Sequence, residues 1–210
     1  MKNKVVNEFQ NWGDEYLVEF DIAVANLPSF STSVFRFTST NSNSDSDGDR
    51  IPALFILKDG KFHFVTSVNN NPESQLNVAF ELGKMYHVTI GQQKNKEDGK
   101  HWYEILIDGE SKLKIENIAP RSYTNVKLYA SDSFFDPFIT NIGSICNVNI
   151  QHQDKGWSAL FYAKQIHAQS SLSIFVQKYF HKCKETYFFT LTKILRIELT
   201  LNLLKNIDKI

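Results

Sequence analysis

Three carboxylates near the start of the chain, Glu15, Glu19 and Asp21, occupy positions that alternate with apolar residues. This alternation is typical of a half-buried strand, so the three carboxylates should share its polar face. Two carboxyl groups about 5 Å apart are what retaining glycoside hydrolysis requires. A further carboxylate that would complete a Glu-x-Asp-x-Glu set is missing, because Ala23 stands in its place. We therefore predict a solvated strand face and no enzyme, with a glycoside hydrolase as the less favoured alternative.

A second candidate site is an acidic run that carries Asp45, Asp47 and Asp49 around a glycine. Oxygen-bearing side chains spaced around a sharp turn are typical of Ca²⁺ loops. An EF-hand is excluded, because Leu54 stands where the bidentate glutamate would be. The pattern predicts a surface Ca²⁺ site that uses Asp45, Asp47 or Asp49, and a flexible acidic loop is the alternative. A structural turn held by hydrogen bonds of Asp49 and Arg50 is a further alternative.

Aromatic residues offer a different chemistry, the stacking of rings on a sugar. The segment Trp12-Gly13-Asp14-Glu15 resembles the Trp-Gly-x-Glu element of galectins, but there the element follows a His-x-Asn-Pro-Arg strand and here it comes first. We predict that Trp12 packs near the first clear strand instead. Core packing is also the more common role for the other stacking candidates. These are Trp102, Tyr103, Phe134 and Phe135.

The elements that would position these residues are β-strands. Period-two patterns predict ten strands, at residues 15–24, 34–38, 53–58, 61–68, 76–80, 85–91, 101–108, 112–116, 125–130 and 143–150. Asp59-Gly60 and Asp108-Gly109 each lie between two such runs and predict two-residue type I′ hairpin turns. With no convincing helix before residue 150, the pattern indicates an all-β antiparallel β-sandwich of the concanavalin A-like jelly-roll type.

Three polar stretches, residues 38–50, 69–75 and 92–100, are predicted to be loops. Binding residues are concentrated on loops that a rigid scaffold positions. The ligand-binding candidates are therefore loop residues: Asp49, Arg50, Asn70 and Asn71.

The net charge is zero, so nothing global favours nucleic acid as a partner. Residues 1–150 carry a net charge of −5 and residues 151–210 carry +5. We divide the chain accordingly into a sandwich over 1–150 and a basic, apolar extension over 151–210. The extension is either poorly ordered or helical over residues 193–205, and a membrane-surface helix is the third alternative. Neither a signal peptide nor a transmembrane run is visible, so the chain is either intracellular or incomplete.

Cys146 and Cys183 are too few for a disulfide scaffold. One disulfide, two free thiols or a cross-link to another chain all remain open. The histidines show no metal-ligand spacing, and Ca²⁺ is the cofactor for which the sequence offers candidate ligands.

Three segments within residues 10–150 carry a family resemblance: Gly48-Asp49-Arg50-Ile51-Pro52-Ala53, the Asp108-Gly109 hairpin, and residues 125–132 (NVKLYASD). They resemble a domain recurrent in cnidarian extracellular and matrix proteins, which is similar to laminin-G and concanavalin-like lectin sandwiches. That family usually continues with Pro-Trp-Tyr, whereas this chain has Ser133-Phe134-Phe135. The resemblance implies an extracellular module for adhesion, matrix assembly or carbohydrate binding, with a glycan or an extracellular protein as partner. It implies no particular sugar.

Overall fold

Strands make up the regular structure of the residues that this computed structural model describes, which are 4–43, 45–131, 134–138, 141–154, 157–166 and 179–180. In chain order they are β1 Lys4–Trp12, β2 Tyr16–Val24, β3 Thr32–Thr38, β4 Ala53–Leu57, β5 Lys61–Val68, β6 Asn71–Ala79, β7 Met85–Lys94, β8 His101–Ile107, β9 Glu110–Asn117, β10 Tyr123–Ser131, β11 Asp136–Pro137, β12 Gly143–Asp154, β13 Trp157–Ile166 and β14 Tyr179–Phe180. All of them belong to one compact unit.

These strands form two sheets. The first has the order β1-β10-β3-β4-β5-β6, and the short β11 pairs with β3 in parallel. The second has the order β14-β13-β12-β2-β7-β8-β9. The remaining pairings are antiparallel. The predicted all-β antiparallel sandwich is therefore confirmed, as is each of the ten predicted strands.

The core lies between the inner faces of the two sheets. In β2, Val18, Phe20 and Ile22 are buried, while the residues between them are half-buried on the outer face. They pack in one cluster with residues of the facing sheet such as Val34 and Phe37. Burial of one face and solvation of the other is what produces the period-two pattern in the sequence.

The two Asp-Gly hairpins differ from each other. Asp108 and Gly109 both have positive φ, at 52° and 78°, and Ile107 pairs directly with Glu110, as the prediction requires. The turn type predicted for Asp59-Gly60 is wrong. Lys58 belongs to the loop as well, and Gly60 has a positive φ of 80° whereas Asp59 does not have a positive φ. A three-residue loop with glycine in the left-handed region replaces the two-residue turn.

The predicted loop over residues 69–75 is also wrong. It contains a tight turn at Asn69 and Asn70, whose φ values are 56° and 59°, and β6 begins immediately afterwards at Asn71. Asparagine tolerates positive φ better than most residues, so it can take the place of Asp-Gly in such a turn. Two of the three predicted loops therefore shrink, since β7 also extends to Lys94.

Strand β1 was not predicted. Its two buried aromatic residues, Phe9 and Trp12, are three positions apart, and its pairing with β10 includes register shifts between Lys4 and Asn7. The pairing is regular from Asn7 to Trp12, so these shifts do not account for the spacing of Phe9 and Trp12; the strand has two buried residues at an odd spacing and therefore no period-two pattern. At the other end of the domain, β12 continues to Asp154 and pairs with β13, so the sheet extends past residue 150. The predicted domain boundary there stays a prediction, and the predicted helix at 193–205 lies outside the described residues.

Candidate functional site

The segment between β3 and β4 is the acidic loop, residues 39–52, and its conformation depends on Asp49. The Asp49 side chain is almost fully buried, and its carboxylate accepts hydrogen bonds from the Thr40 hydroxyl and, at 3.0 Å, from the Ser46 backbone N–H. The Ser39 N–H donates to the Gly48 carbonyl at 2.9 Å, which closes the base of the loop. Asp49 thus holds the acidic loop together from inside.

Arg50 joins the acidic loop to strand β6. Its guanidinium, which is buried, donates to Glu73 at 2.9 Å and to Asn43 at 2.6 Å, and it forms an ion pair with Asp45 at 2.6 Å. Charge-assisted hydrogen bonds of this type fix geometry well. Arg50, a predicted ligand-binding residue, therefore has a positioning role in this arrangement.

Unlike Asp49, whose side chain turns into the acidic loop, Asp47 points into a cleft at one edge of the sandwich. Its carboxylate accepts hydrogen bonds from Ser67 Oγ at 2.6 Å, from the Tyr123 hydroxyl at 2.8 Å and from the Arg121 guanidinium. Burial raises the pKa of Asp47, but these three hydrogen bonds and the charge of Arg121 outweigh burial and hold the pKa below its usual range. Asp47 is therefore ionised at neutral pH.

The turn between β5 and β6 forms the second side of this cleft. Asn69 Nδ2 donates to the Glu116 carbonyl at 2.9 Å, and Asn69 Oδ1 accepts from the Ile118 N–H at 2.7 Å. The Asn70 Oδ1 atom accepts a hydrogen bond from Arg121. Asn69 thus fastens the turn to the segment after β9, and Asn70 stands exposed beside Arg121. Asn71, the other asparagine predicted to bind ligand, lies in β6 and accepts from the Glu73 N–H at 3.1 Å.

The floor of the cleft is formed by two strands of the second sheet and by the loop between β1 and β2. Asn117 at the end of β9 donates to Gln92 of β7 at 2.6 Å, and Gln92 donates to the Asp14 carbonyl at 2.6 Å. We call this site the Asp47 cleft, and it is shallow, with about 10 Å³ of internal space, room for roughly one water molecule. The cleft is therefore a surface depression, with Gln92 and Asn117 buried at its floor and with Asn69, Asn70 and Arg121 exposed at its rim.

The polar cleft residues that the sequence analysis missed include Ser67, Gln92, Asn117, Arg121 and Tyr123. They come from separate parts of the sequence and have no motif spacing. The nearest signal was Pro120-Arg121-Ser122, a turn-like tripeptide between two predicted strands. Arg121 and Tyr123 contact Asp47, and Arg121 also contacts Asn70, because of how the loops fold back on the sheets.

The three predicted Ca²⁺ ligands have different surroundings. Asp45 forms an ion pair with Arg50, Asp47 binds Arg121, and Asp49 is turned toward its own loop. Within the described part of the chain, no group of three or more His, Cys, Asp or Glu side chains is placed to hold a metal ion. The Ca²⁺ site stays a prediction.

The carboxylates of β2 lie on the outer face of the second sheet. Glu19 accepts from Asn149 at 2.8 Å, and Asp21 accepts from Asn147 and from His87 at 2.6 and 2.7 Å. The hydrogen bond from Asn147 lowers the pKa of Asp21; burial opposes it, and His87 lowers the pKa further. Asn147, Asp21 and His87 thus form a polar row across β12, β2 and β7.

A D21N substitution is expected to lower the free energy of unfolding at pH 7 by less than about 1 kcal/mol, because the site is solvated. Since the folded pKa lies below the unfolded value of about 3.9, the contribution of Asp21 is complete above that value and is lost as pH falls through the folded pKa. Urea unfolding of wild type and D21N across this range measures the difference, which should vanish at the acid end. A difference that does not change with pH would contradict the assignment.

The four aromatic stacking candidates fall into different environments. Tyr103 is fully buried in the core. Trp102 is half-buried on the outer face, where Lys114 Nζ lies 5.5 Å from its ring. The ring centroids of Phe135 and Phe55 lie 4.7 Å apart. The half-exposed ring of Phe134 lies over the Arg36 guanidinium. Trp12, by contrast, has no exposed surface, which excludes galectin-like stacking of its indole on a sugar.

Cys146 is half-buried in β12 opposite Asp21. Burial and the charge of Asp21 raise the pKa of its thiol, which keeps the thiol protonated at neutral pH. Cys183 lies outside the described residues, so their pairing stays open. Among the described residues, no helix has the length and hydropathy needed to span a bilayer.

Comparison with known proteins adds distant structural likenesses. No protein-family model matches the chain, and no curated protein matches it. A native heptameric SAP-like pentraxin from Limulus polyphemus is similar at 14% identity and a TM-score of 0.43, over 71% of each chain. The Trypanosoma rangeli sialidase is similar at 17% identity and a TM-score of 0.32, over 56% of this chain and 21% of the sialidase. Likeness at this distance carries no argument about ligand or activity, and the fold is established by the two sheets themselves.

Proposed function

We propose that this chain is a non-catalytic binding domain of a matrix or cell-surface protein, and that its ligand is a glycan held at the Asp47 cleft. The observation that carries the proposal is the contact of Asp47, Asn70 and Arg121, three polar side chains from separate segments joined in one partly exposed hydrogen-bonded group. Sugar hydroxyls both donate and accept hydrogen bonds. A carboxylate, an amide and a guanidinium together offer both kinds of partner.

The support around this group favours recognition. Ser67 and Tyr123 hold Asp47 from the sheet side, and Asn69 holds the turn that carries Asn70. Groups fixed before binding lose less conformational entropy when a ligand arrives. The non-catalytic part of the proposal is supported by Glu19 and Asp21, whose carboxylates are engaged by side-chain amides instead of standing open as an acid and a nucleophile.

A glycan array followed by titration of the best glycan tests the proposal, with and without added CaCl₂. We expect binding to at least one glycan class, and in the R121Q variant we expect the affinity to fall about tenfold, since a hydrogen bond from a charged donor contributes about 1.5–3 kcal/mol. Absence of binding to every glycan under both conditions would refute the proposal and leave protein recognition or a structural role.

K61Q is the matched control. Lys61 is likewise a partly exposed cation paired with an aspartate, Asp59, at 2.6 Å. It lies at the opposite end of β5 from the cleft, roughly 25 Å away. An equal loss of affinity in K61Q and R121Q would show that charge in general, and not the Asp47 cleft, determines binding.

A further inference from the structure

We infer that the Asp47 cleft selects an uncharged glycan and binds it without a bound cation, with Arg121 supplying the positive charge that a metal ion would otherwise supply. This inference rests on the proposed function and specifies its ligand class. It follows from the charge balance of the cleft, from the occupancy of the Asp47 oxygens and from the orientation of Asn70.

Charge balance is the first argument. Of the described residues that line the cleft, Asp47 and Arg121 are the charged ones, and they are paired with each other. The neighbouring cations are also paired, Arg50 with Asp45 and Glu73, and Lys100 with Glu116. A sulfate or carboxylate on a glycan would therefore find no unpaired cation among these residues to offset its own charge. Burying such a group beside a carboxylate is unfavourable.

The Asp47 oxygens give the second argument. Oδ1 accepts from Ser67 and Tyr123, and Oδ2 accepts from Arg121. One lone pair of Oδ2 remains open, and a cation bound there would lie against the positive charge of the Arg121 guanidinium, which repels it. Burial and the Asp47 carboxylate both raise the pKa of Tyr123, so its phenol keeps the proton that it donates. The guanidinium already neutralises the carboxylate.

Asn70 gives the third argument. Its Oδ1 accepts from Arg121, which orients the amide and leaves Nδ2 on the other side. Among the described residues, no acceptor contacts Asn70 Nδ2, and the side chain is exposed. Two N–H donors are therefore available for hydroxyl oxygens, next to a carboxylate oxygen that can accept from a hydroxyl. Adjacent hydroxyls of a neutral sugar match this set of partners.

The test compares neutral, sialylated and sulfated glycans, each in EDTA and in CaCl₂, with the full chain. We expect the tightest binding to a neutral glycan, with the same affinity in both conditions. Preference for sialylated or sulfated glycans, or loss of binding in EDTA, would overturn the inference while leaving the proposed function intact. Absence of binding to any glycan would instead refute the proposed function itself.

The variant N70G locates the ligand. Glycine adopts positive φ readily, so the turn should persist while the amide is lost. We expect about a fivefold loss of affinity for the best neutral glycan, as for one hydrogen bond. N147G is the matched control, because Asn147 also has positive φ, at 53°, and donates to an aspartate, but lies on the outer face of the second sheet. Unchanged binding by N70G, or equal losses in both variants, would overturn the placement, and thermal melts verify that both variants fold.

Discussion

Replacement of Trp12 by alanine is expected to lower the free energy of unfolding by about 3–5 kcal/mol. The indole has no exposed surface and packs against rings from both sheets. Its ring centroid lies 4.7 Å from that of Phe37 in the first sheet, and 5.2 and 5.1 Å from those of Tyr16 and His152 in the second. Its removal leaves a cavity at the junction of the sheets that the surrounding strands can fill only in part. Urea unfolding followed by circular dichroism measures the loss.

W102A is the control for this experiment. Trp102 is the same residue type, but it lies half-buried on the outer face with Lys114 beside its ring. Its truncation opens no enclosed cavity, so we expect a cost below about 1.5 kcal/mol. Equal costs for the two variants would mean that Trp12 is not the centre of packing that its contacts indicate.

Replacement of Asp47 by alanine is expected to affect both stability and binding. Ser67, Tyr123 and Arg121 would lose their common acceptor, and Arg121 would lose its charge partner. Asp47 is about one-third exposed, so water replaces part of what is lost, and we expect a stability loss of about 1–2 kcal/mol. Glycan affinity should fall at least tenfold, because the same side chain accepts from the ligand and orients Arg121. Urea unfolding and glycan titration of D47A measure the two effects.

D59A separates this effect from the simple loss of a surface carboxylate. Asp59 is exposed and pairs with Lys61 at a hairpin loop, so its removal should change stability much less than D47A does and leave binding unchanged. A D47A protein that binds glycan as tightly as D59A would remove Asp47 from the site. If D47A unfolds more easily but still binds, its role is structural alone.

The β-sandwich could be read from the sequence because burial on one face of a strand is a local property. In β2 each inward residue is apolar and each outward residue is polar or smaller, apart from Leu17, and this holds whichever strands lie beside it. The Asp108-Gly109 turn was equally local, since its geometry depends on two adjacent φ angles. The Asn69-Asn70 turn had the same kind of signal, but Asn71 and Pro72 extended it into what read as a longer loop.

Strand β1 and the Asp59-Gly60 turn differ from what their local sequence predicts. Strand β1 has two buried aromatic residues, Phe9 and Trp12, at an odd spacing, so its sequence has no period of two. Asp59-Gly60 has the composition of a two-residue turn, but the register between Leu57 and Lys61 admits a third residue. The pairing of β1 and the length of this turn both depend on the partner strand, so a short stretch of sequence does not reveal them.

By itself, the sequence determined the fold class, most strands and the acidic loop, because these depend on local alternation and turn chemistry. The tertiary structure decided which loop residues meet. Asp47 and Arg121 are 74 positions apart, and Asn70 and Arg121 are 51 apart. Sheet order and register bring these three side chains together, while the same acidic loop turns Asp49 and Arg50 inward. A contact between distant residues depends on the packing of several strands at once, so the Asp47 cleft became visible only in the folded chain.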